Sequence, residues 1–283
     1  MKMSFRAALI AATLAVAASR AEAQQRPLVT EDPETIGAGL VLLEGGFDVQ
    51  RQVTYPASGL EGNLLRLPTL GVSVGISSIA EVQIDGGPYN RLQVTNRRAA
   101  PLASEMTFAG DRTHDVEDLV VATKIRLLSE TADRPAFGVR FGTRLPNAGN
   151  ESGLGLDTTD FFISALVGKT VQSIRFVGNV GLGILADPVK GDRQNDVLTY
   201  GVSVARAVRQ GLEVVGELNG RLDTRSGEAP IGTESRGAMR IGGRFTRSTV
   251  RVDAGLIVGV TSLDPSVGFT AGVTWVFKGF TVP

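Results

Sequence analysis

Apolar and polar residues alternate with a period of two along most of the chain, and the clearest run is Thr249 to Thr261. Val250, Val252, Ala254, Leu256, Val258 and Val260 share one face there, while Arg251, Asp253, Gly255, Gly259 and Thr261 share the other with Ile257. Successive side chains of a strand point to opposite sides, so the pattern predicts a strand with one apolar face; a helix would scatter the same residues around its axis. Residues 267–277 repeat it, with Val267, Phe269, Ala271, Val273, Trp275 and Phe277 opposed to Gly268, Thr270, Gly272 and Thr274. The same reading places strands near 39–49, 64–76, 79–88, 117–128, 135–145, 159–169, 173–185, 196–207, 211–223, 236–247, 249–262 and 267–277. The adjacent Phe161 and Phe162 leave the register of 159–169 open.

The connections alternate in length. Short links fall at Ser77-Ser78, Ser129 to Arg134, Thr170 to Gln172, Val208 to Gln210, and Ser248. Longer polar ones fall at 50–63, 89–116, 146–158, 186–195 and 224–235, and a brief Leu-Asp-Pro-Ser turn at 263–266 is the exception. An even number of strands brings both ends of the sheet to one rim, so every second connection lies on the other. The prediction is an all-β chain: a closed antiparallel transmembrane β-barrel of about 12 strands, with short periplasmic turns and longer extracellular loops. A soluble sandwich also alternates, but it gives no reason for one rim to carry the long loops or for so many charges on the polar face. Trp275 and Phe277 fit an interfacial belt, although aromatics make up only 6% of the chain.

The first residues add a compartment. Lys2 and Arg6 precede the apolar run Ala7 to Ala18, and Ala21-Glu22-Ala23 offers small residues to a signal peptidase. The expected organisation is a cleaved signal peptide at 1–23, a periplasmic segment at 24–38, the barrel at 39–277 and a tail at 278–283. No later apolar run reaches spanning-helix length, and glycine (35 residues) sits inside the apolar stretches, where it disfavours helix. The 29 basic and 29 acidic residues form no block of one sign, which argues against nucleic acid as a partner. Cysteine is absent, and one histidine with four methionines leaves little material for metal chemistry.

The chemistry then rests on charges that the alternation turns inward. Lumen-lining candidates are Lys124, Arg126, Arg140, Arg144, Arg175, Glu213, Glu217, Arg221, Arg236, Arg240, Arg244, Arg251 and Asp253, with Glu44, Asp48, Glu81, Asp85 and Asp223 as further acids. The strands at 117–128, 135–145 and 236–247 send only basic groups inward, while acids concentrate at 39–49, 79–88 and 211–223. Pairing across the barrel, or a transverse field that favours anions, follows from that division. His114, in the long loop with Asp111, Asp115, Glu117 and Asp118, lacks a nucleophile motif. The acidic cluster reads as a charged loop, and Gly153-Leu154-Gly155 lacks the helix a phosphate cradle needs. No catalytic residue, cofactor or metal is expected.

The stretches RPLVTEDPETIGAG (26–39), DLVVATKIRLL (118–128) and GVRFGTRLPNAG (138–149) with the following GLGLDTTDFF, then VGNVGLGIL, GLEVVGELNGR and VGFTAGVTWVF, resemble the outer-membrane barrel family labelled for meta-pathway phenol degradation and often described as a transporter. The resemblance implies the outer membrane of a Gram-negative bacterium, with membrane lipids and the barrel-assembly machinery as partners. It names small apolar or aromatic compounds as candidate solutes. One departure is the end of the chain, where Lys278 to Pro283 follow Phe277 in place of a terminal aromatic. The expected function is a channel for small solutes. A closed structural or anchoring barrel and a membrane-embedded hydrolase are the alternatives.

Overall fold

A computed structural model of the chain describes residues 26–282, so the signal-peptide reading of 1–23 lies outside the described residues. The sheet opens with β1 (Leu40–Tyr55), β2 (Leu60–Gly75) and β3 (Ala80–Gly86), and a side hairpin follows as β4 (Asn90–Arg97) and β5 (Arg112–Asp115). It continues as β6 (Leu119–Leu128), β7 (Ala136–Leu145), β8 (Asp160–Val171), β9 (Ile174–Ala186) and β10 (Gln194–Arg209). Then come β11 (Leu212–Asp223), β12 (Arg236–Arg247), β13 (Val250–Gly259) and β14 (Val267–Lys278). All neighbours are antiparallel, and β1 pairs with β2 on one side and with β14 on the other, from Leu40↔Lys278 to Arg51↔Val267. That double pairing closes β1–β3 and β6–β14 into a barrel of twelve strands.

The barrel is inside out relative to a soluble protein. Ile241 is 61% exposed and Val202 59%, whereas Arg251 and Lys124 are 1% and 0% exposed. Water would not tolerate such a continuous apolar surface, and lipid requires it. Cross-strand partners share a face. The run Lys124↔Arg140↔Ser164↔Gly181↔Thr199↔Arg221↔Arg236 is therefore one polar band facing the interior. The open register of β8 resolves the same way: Phe161 points out, and Phe162 points in against Gly183. Trp275 and Phe277 lie on the outer face near the rim that carries both termini, their ring centroids 4.4 Å apart. Three tight turns on that rim each carry one left-handed residue, Gly211 (φ +75°) without strain, and Gln172 and Ser248.

Three expectations need correction. The span 50–63, read as a loop, is mostly sheet: β1 runs to Tyr55 and β2 starts at Leu60, leaving a four-residue turn. The span 89–116 contains β4 and β5; β4 continues β3 along the edge of β2 beyond Gly87-Pro88-Tyr89, where proline has no N–H to give the ladder. These extensions stand because Val53, Leu60, Leu64, Leu92 and Val94 form a buried cluster above the far rim, joined by Tyr55, Met106, Phe108 and Leu154. Third, the segment expected to sit in the periplasm at 24–38 is not outside the wall. Its described residues, from Arg26 on, lie within the barrel, for reasons given below.

Replacing the outward-facing Ile241 with Arg should destabilise the barrel by about 2–4 kcal/mol, the range for a cation at the bilayer midplane. Urea unfolding in liposomes, followed by the gel shift between unheated and boiled samples, checks it. A loss below 1 kcal/mol would mean that this face does not meet hydrocarbon.

Candidate functional site: a charged lumen

Residues 26–37 touch the ring strand by strand. Arg26 donates to Thr270 Oγ1 (3.0 Å) and Ala271 O (2.9 Å) on β14 and to Thr69 Oγ1 (3.1 Å) on β2. The N–H groups of Val29 and Thr30 bond Glu217 of β11 at 2.8–3.0 Å. Glu31 exchanges backbone bonds with the Asn179 amide of β9 at 2.7 and 2.8 Å. Arg175 of β9 holds Asp32 at 2.6 Å, Arg126 of β6 holds Glu34, and Glu81 of β3 accepts the Ile36 N–H at 2.7 Å. The contacts follow ring order through almost a full turn. A segment this short can reach all those strands only from inside, so it is a strap wound along the inner wall.

Two features let it lie there. A strap outside any sheet must find partners for its own N–H groups, and Glu217, Asn179 and Glu81 supply them. The wall beneath is stripped of side chains: a Cβ at Gly272 or Gly46 would strike the Arg26 guanidinium, one at Gly201 would press on Thr30, and one at Gly168 on Pro33. Leu28 completes the seat by packing on Ala205 and Val215.

The charges on the inner side of the strands pair laterally or with the strap, where pairing across the barrel was expected. Arg240 meets Glu217 (2.9 Å) and Arg244 meets Glu213 (2.7 Å) on the adjacent strand, Arg251 approaches Glu213 at 3.8 Å, and Lys124 meets Glu81 at 3.0 Å. The remaining partners come from the strap. Glu31 receives Lys124 (3.3 Å) and Arg140 (3.1 Å), and Asp253 faces Arg26 at 3.5 Å. Arg175 also bonds Glu130 (2.5 Å) in the β6–β7 turn. Partial burial pushes that carboxyl up, but the Thr170 N–H and Arg175 outweigh it and hold Glu130 below its ordinary range. Its grip on the turn therefore persists at neutral pH and is lost as pH falls through that lowered value.

The far half of the lumen is different. Arg66, Arg144, Arg221 and Arg236 surround a cavity of about 290 Å³ roofed by the Pro56–Ser58 turn and by Gly153 to Leu156. Ser58 Oγ donates to Gly153 O at 2.7 Å and locks the two halves of the roof. Arg144 pairs with Asp160 and stands 3.7 Å from Asp118, and Arg66 pairs with Glu117. Arg221 bonds the carbonyls of Gly232 (2.8 Å) and Glu234 (2.9 Å); Arg236 bonds those of Leu263 (2.7 Å) and Thr54 (2.9 Å).

Reading the sequence missed Arg26, Glu31, Asp32, Glu34 and Arg66. The signal was present in the TEDPE run, whose acids match the surplus of inward bases on β6, β7 and β9. The alternative constellations disperse. His114 sits on β5 beside Tyr89, ring centroids 5.8 Å apart. Asp115 and Asp118 accept loop N–H groups of Gly149, Asn147 and Ala148 at 2.9–3.1 Å. Among the described residues no group of three or more His, Asp or Glu side chains could hold a metal ion.

The geometry defines a class, a closed transmembrane barrel with a polar interior partly filled by its own N-terminal strap. A crystal structure of an outer membrane channel from Pseudomonas putida F1 is similar, with TM-score 0.61 at 12% identity, covering 87% of this chain and 98% of that one. The NanC porin is similar with TM-score 0.50 at 9% identity, covering 83% of this chain and 98% of its own. At such identities the likeness shows the fold, that of outer-membrane barrels. No family model matches the sequence, and no curated protein matches it.

Strap seating can be read chemically, because the chain has no cysteine of its own. A single cysteine at Thr30 should react slowly with a soluble maleimide. Adding Glu217→Ala removes charge-assisted bonds worth about 1.5–3 kcal/mol and should speed labelling roughly ten- to a hundredfold. Equal rates would mean that the strap is not held by Glu217.

Proposed function

We propose that this protein is a passive, non-catalytic channel of the Gram-negative outer membrane, with the terminal rim toward the periplasm and the roofed rim outward. The supporting observation is an interior built for polar contact: the inward groups carry hydrogen bonds and charges throughout, and the far half keeps an unfilled cavity. Such a lining lowers the cost of moving a hydrated or polar solute past hydrocarbon. The named channel and porin among similar folds support the same reading. The candidate lining residues, most of them in ion pairs, set the electrostatics of the path. The resemblance to the phenol-degradation barrels adds small apolar or aromatic compounds as the solute class. Membrane lipid is the partner of the outer face, and the assembly machinery is the partner during insertion.

Planar bilayers test this: purified protein should give discrete, small conductance steps. Glu31→Gln leaves Lys124 and Arg140 short of a carboxylate, so it should shift reversal potentials toward anion preference. A specific observation favours a second reading, a closed structural barrel, because the strap narrows one end and the roof covers the other. Complete absence of steps would decide for it. The hydrolase alternative predicts ester cleavage abolished by His114→Ala, and an inactive parent protein removes it.

A further inference from the structure

The cavity under the roof has an electrostatic peculiarity. Arg221 and Arg236 stand directly opposite each other on β11 and β12. Like charges in that position repel. Both are held by carbonyl oxygens; Arg236 adds one long ion pair, to Asp264 at 3.9 Å, and among the described residues no carboxylate comes within salt-bridge distance of Arg221. Carbonyls fix the planes of the guanidinium groups without neutralising them. Each guanidinium has five N–H donors, so donors remain after the carbonyls are served. Arg66 and Arg144 reach the same cavity from β2 and β7, on other arcs of the ring.

The floor also carries Asp118, which stands 3.7 Å from Arg144 at the side away from Arg221 and Arg236, while the ceiling is mostly apolar. Leu154 and Leu156 hang from the roof, and Val53, Leu64 and Tyr55 rise from the β1–β2 extension. The cavity therefore presents a basic floor and an apolar ceiling. At about 290 Å³ it lies at the small end of ligand sites.

We infer that this vestibule binds a small organic carboxylate with a compact apolar body, an aryl carboxylate being the best fit. Its carboxylate lies between Arg221 and Arg236, relieving their repulsion in the fork geometry that guanidinium offers to paired oxygens. Its ring rests against Leu154, Leu156 and Tyr55. Inorganic anions satisfy only the floor and neutral aromatics only the ceiling. The assignment names a solute class for the proposed channel and rests on that reading for its use. Binding itself does not require conduction.

The test uses the full mature chain in detergent, with 4-fluorobenzoate and 4-fluorobenzyl alcohol as fluorine NMR probes. The acid should bind saturably and at least about tenfold tighter than the alcohol, and chloride at equal ionic strength should compete only weakly. R236Q should weaken the acid about tenfold and leave the alcohol unchanged, with the gel shift on boiling retained as proof of folding. Because R236Q also loses bonds to Thr54 and Leu263, L156W supplies a second variant, which fills the ceiling without touching charge and should abolish binding of both probes. Equal binding of acid and alcohol, or full affinity in either variant, overturns the inference. Binding without bilayer conductance would overturn the channel reading and leave the site standing; conductance without binding would do the reverse.

Discussion

A backbone amide left without a partner in hydrocarbon costs several kcal/mol, and that penalty governs the whole molecule. It forbids a free sheet edge, so β1 must serve β2 and β14 together. Once the ring closes, alternation sends every second side chain to lipid and every other one into a space only a few residues wide. Glycines on the inner face then become a requirement of volume, since the same narrow space must also take a strap.

Closure creates a second problem that the strap solves. Cations confined to a low-dielectric interior are costly unless matched, and losing one partner of a buried pair costs about 3–5 kcal/mol. The arc from β6 to β9 carries Lys124, Arg126, Arg140 and Arg175 inward, and the strands themselves offer it few acids. Glu31, Asp32 and Glu34 arrive on the strap and meet all four. Glu31 is the junction: its backbone is fixed on β9 by Asn179, and its carboxylate reaches across to Lys124 and Arg140. The strap is thus the missing acidic component of the wall.

Much of the fold was legible in the sequence because lipid exposure imposes a strict period. The faces of β6, β7, β9 and β11 to β14 agree with the alternation, down to Arg251 on the inner side and Val252 on the outer. What failed was everything not governed by lipid. Leu60, Leu92 and Val94 also alternate, but against a small protein core beyond the rim, where polar neighbours made the spans look like loops. The strap has no period, since its contacts are set by a curved wall. Its acids could be placed only by asking which inward bases lacked partners. Lateral pairing was missed for a related reason: charge counts per strand say nothing of register, and register puts Arg240 beside Glu217 and Arg244 beside Glu213.

These pieces give the lumen an axis that the chain's net charge of zero conceals. Near the terminal rim, bases are neutralised by strap carboxylates that cannot leave without dragging buried backbone bonds with them. Near the roof, Arg221 and Arg236 are oriented by carbonyls, which hold a guanidinium in place without neutralising it, and only Arg236 has a carboxylate nearby, Asp264 at 3.9 Å. The positive charge therefore stands less compensated at the roofed end than at the terminal end. That difference arises from which oxygens, carboxylate or carbonyl, serve as acceptors, and the wall strands alone do not determine it.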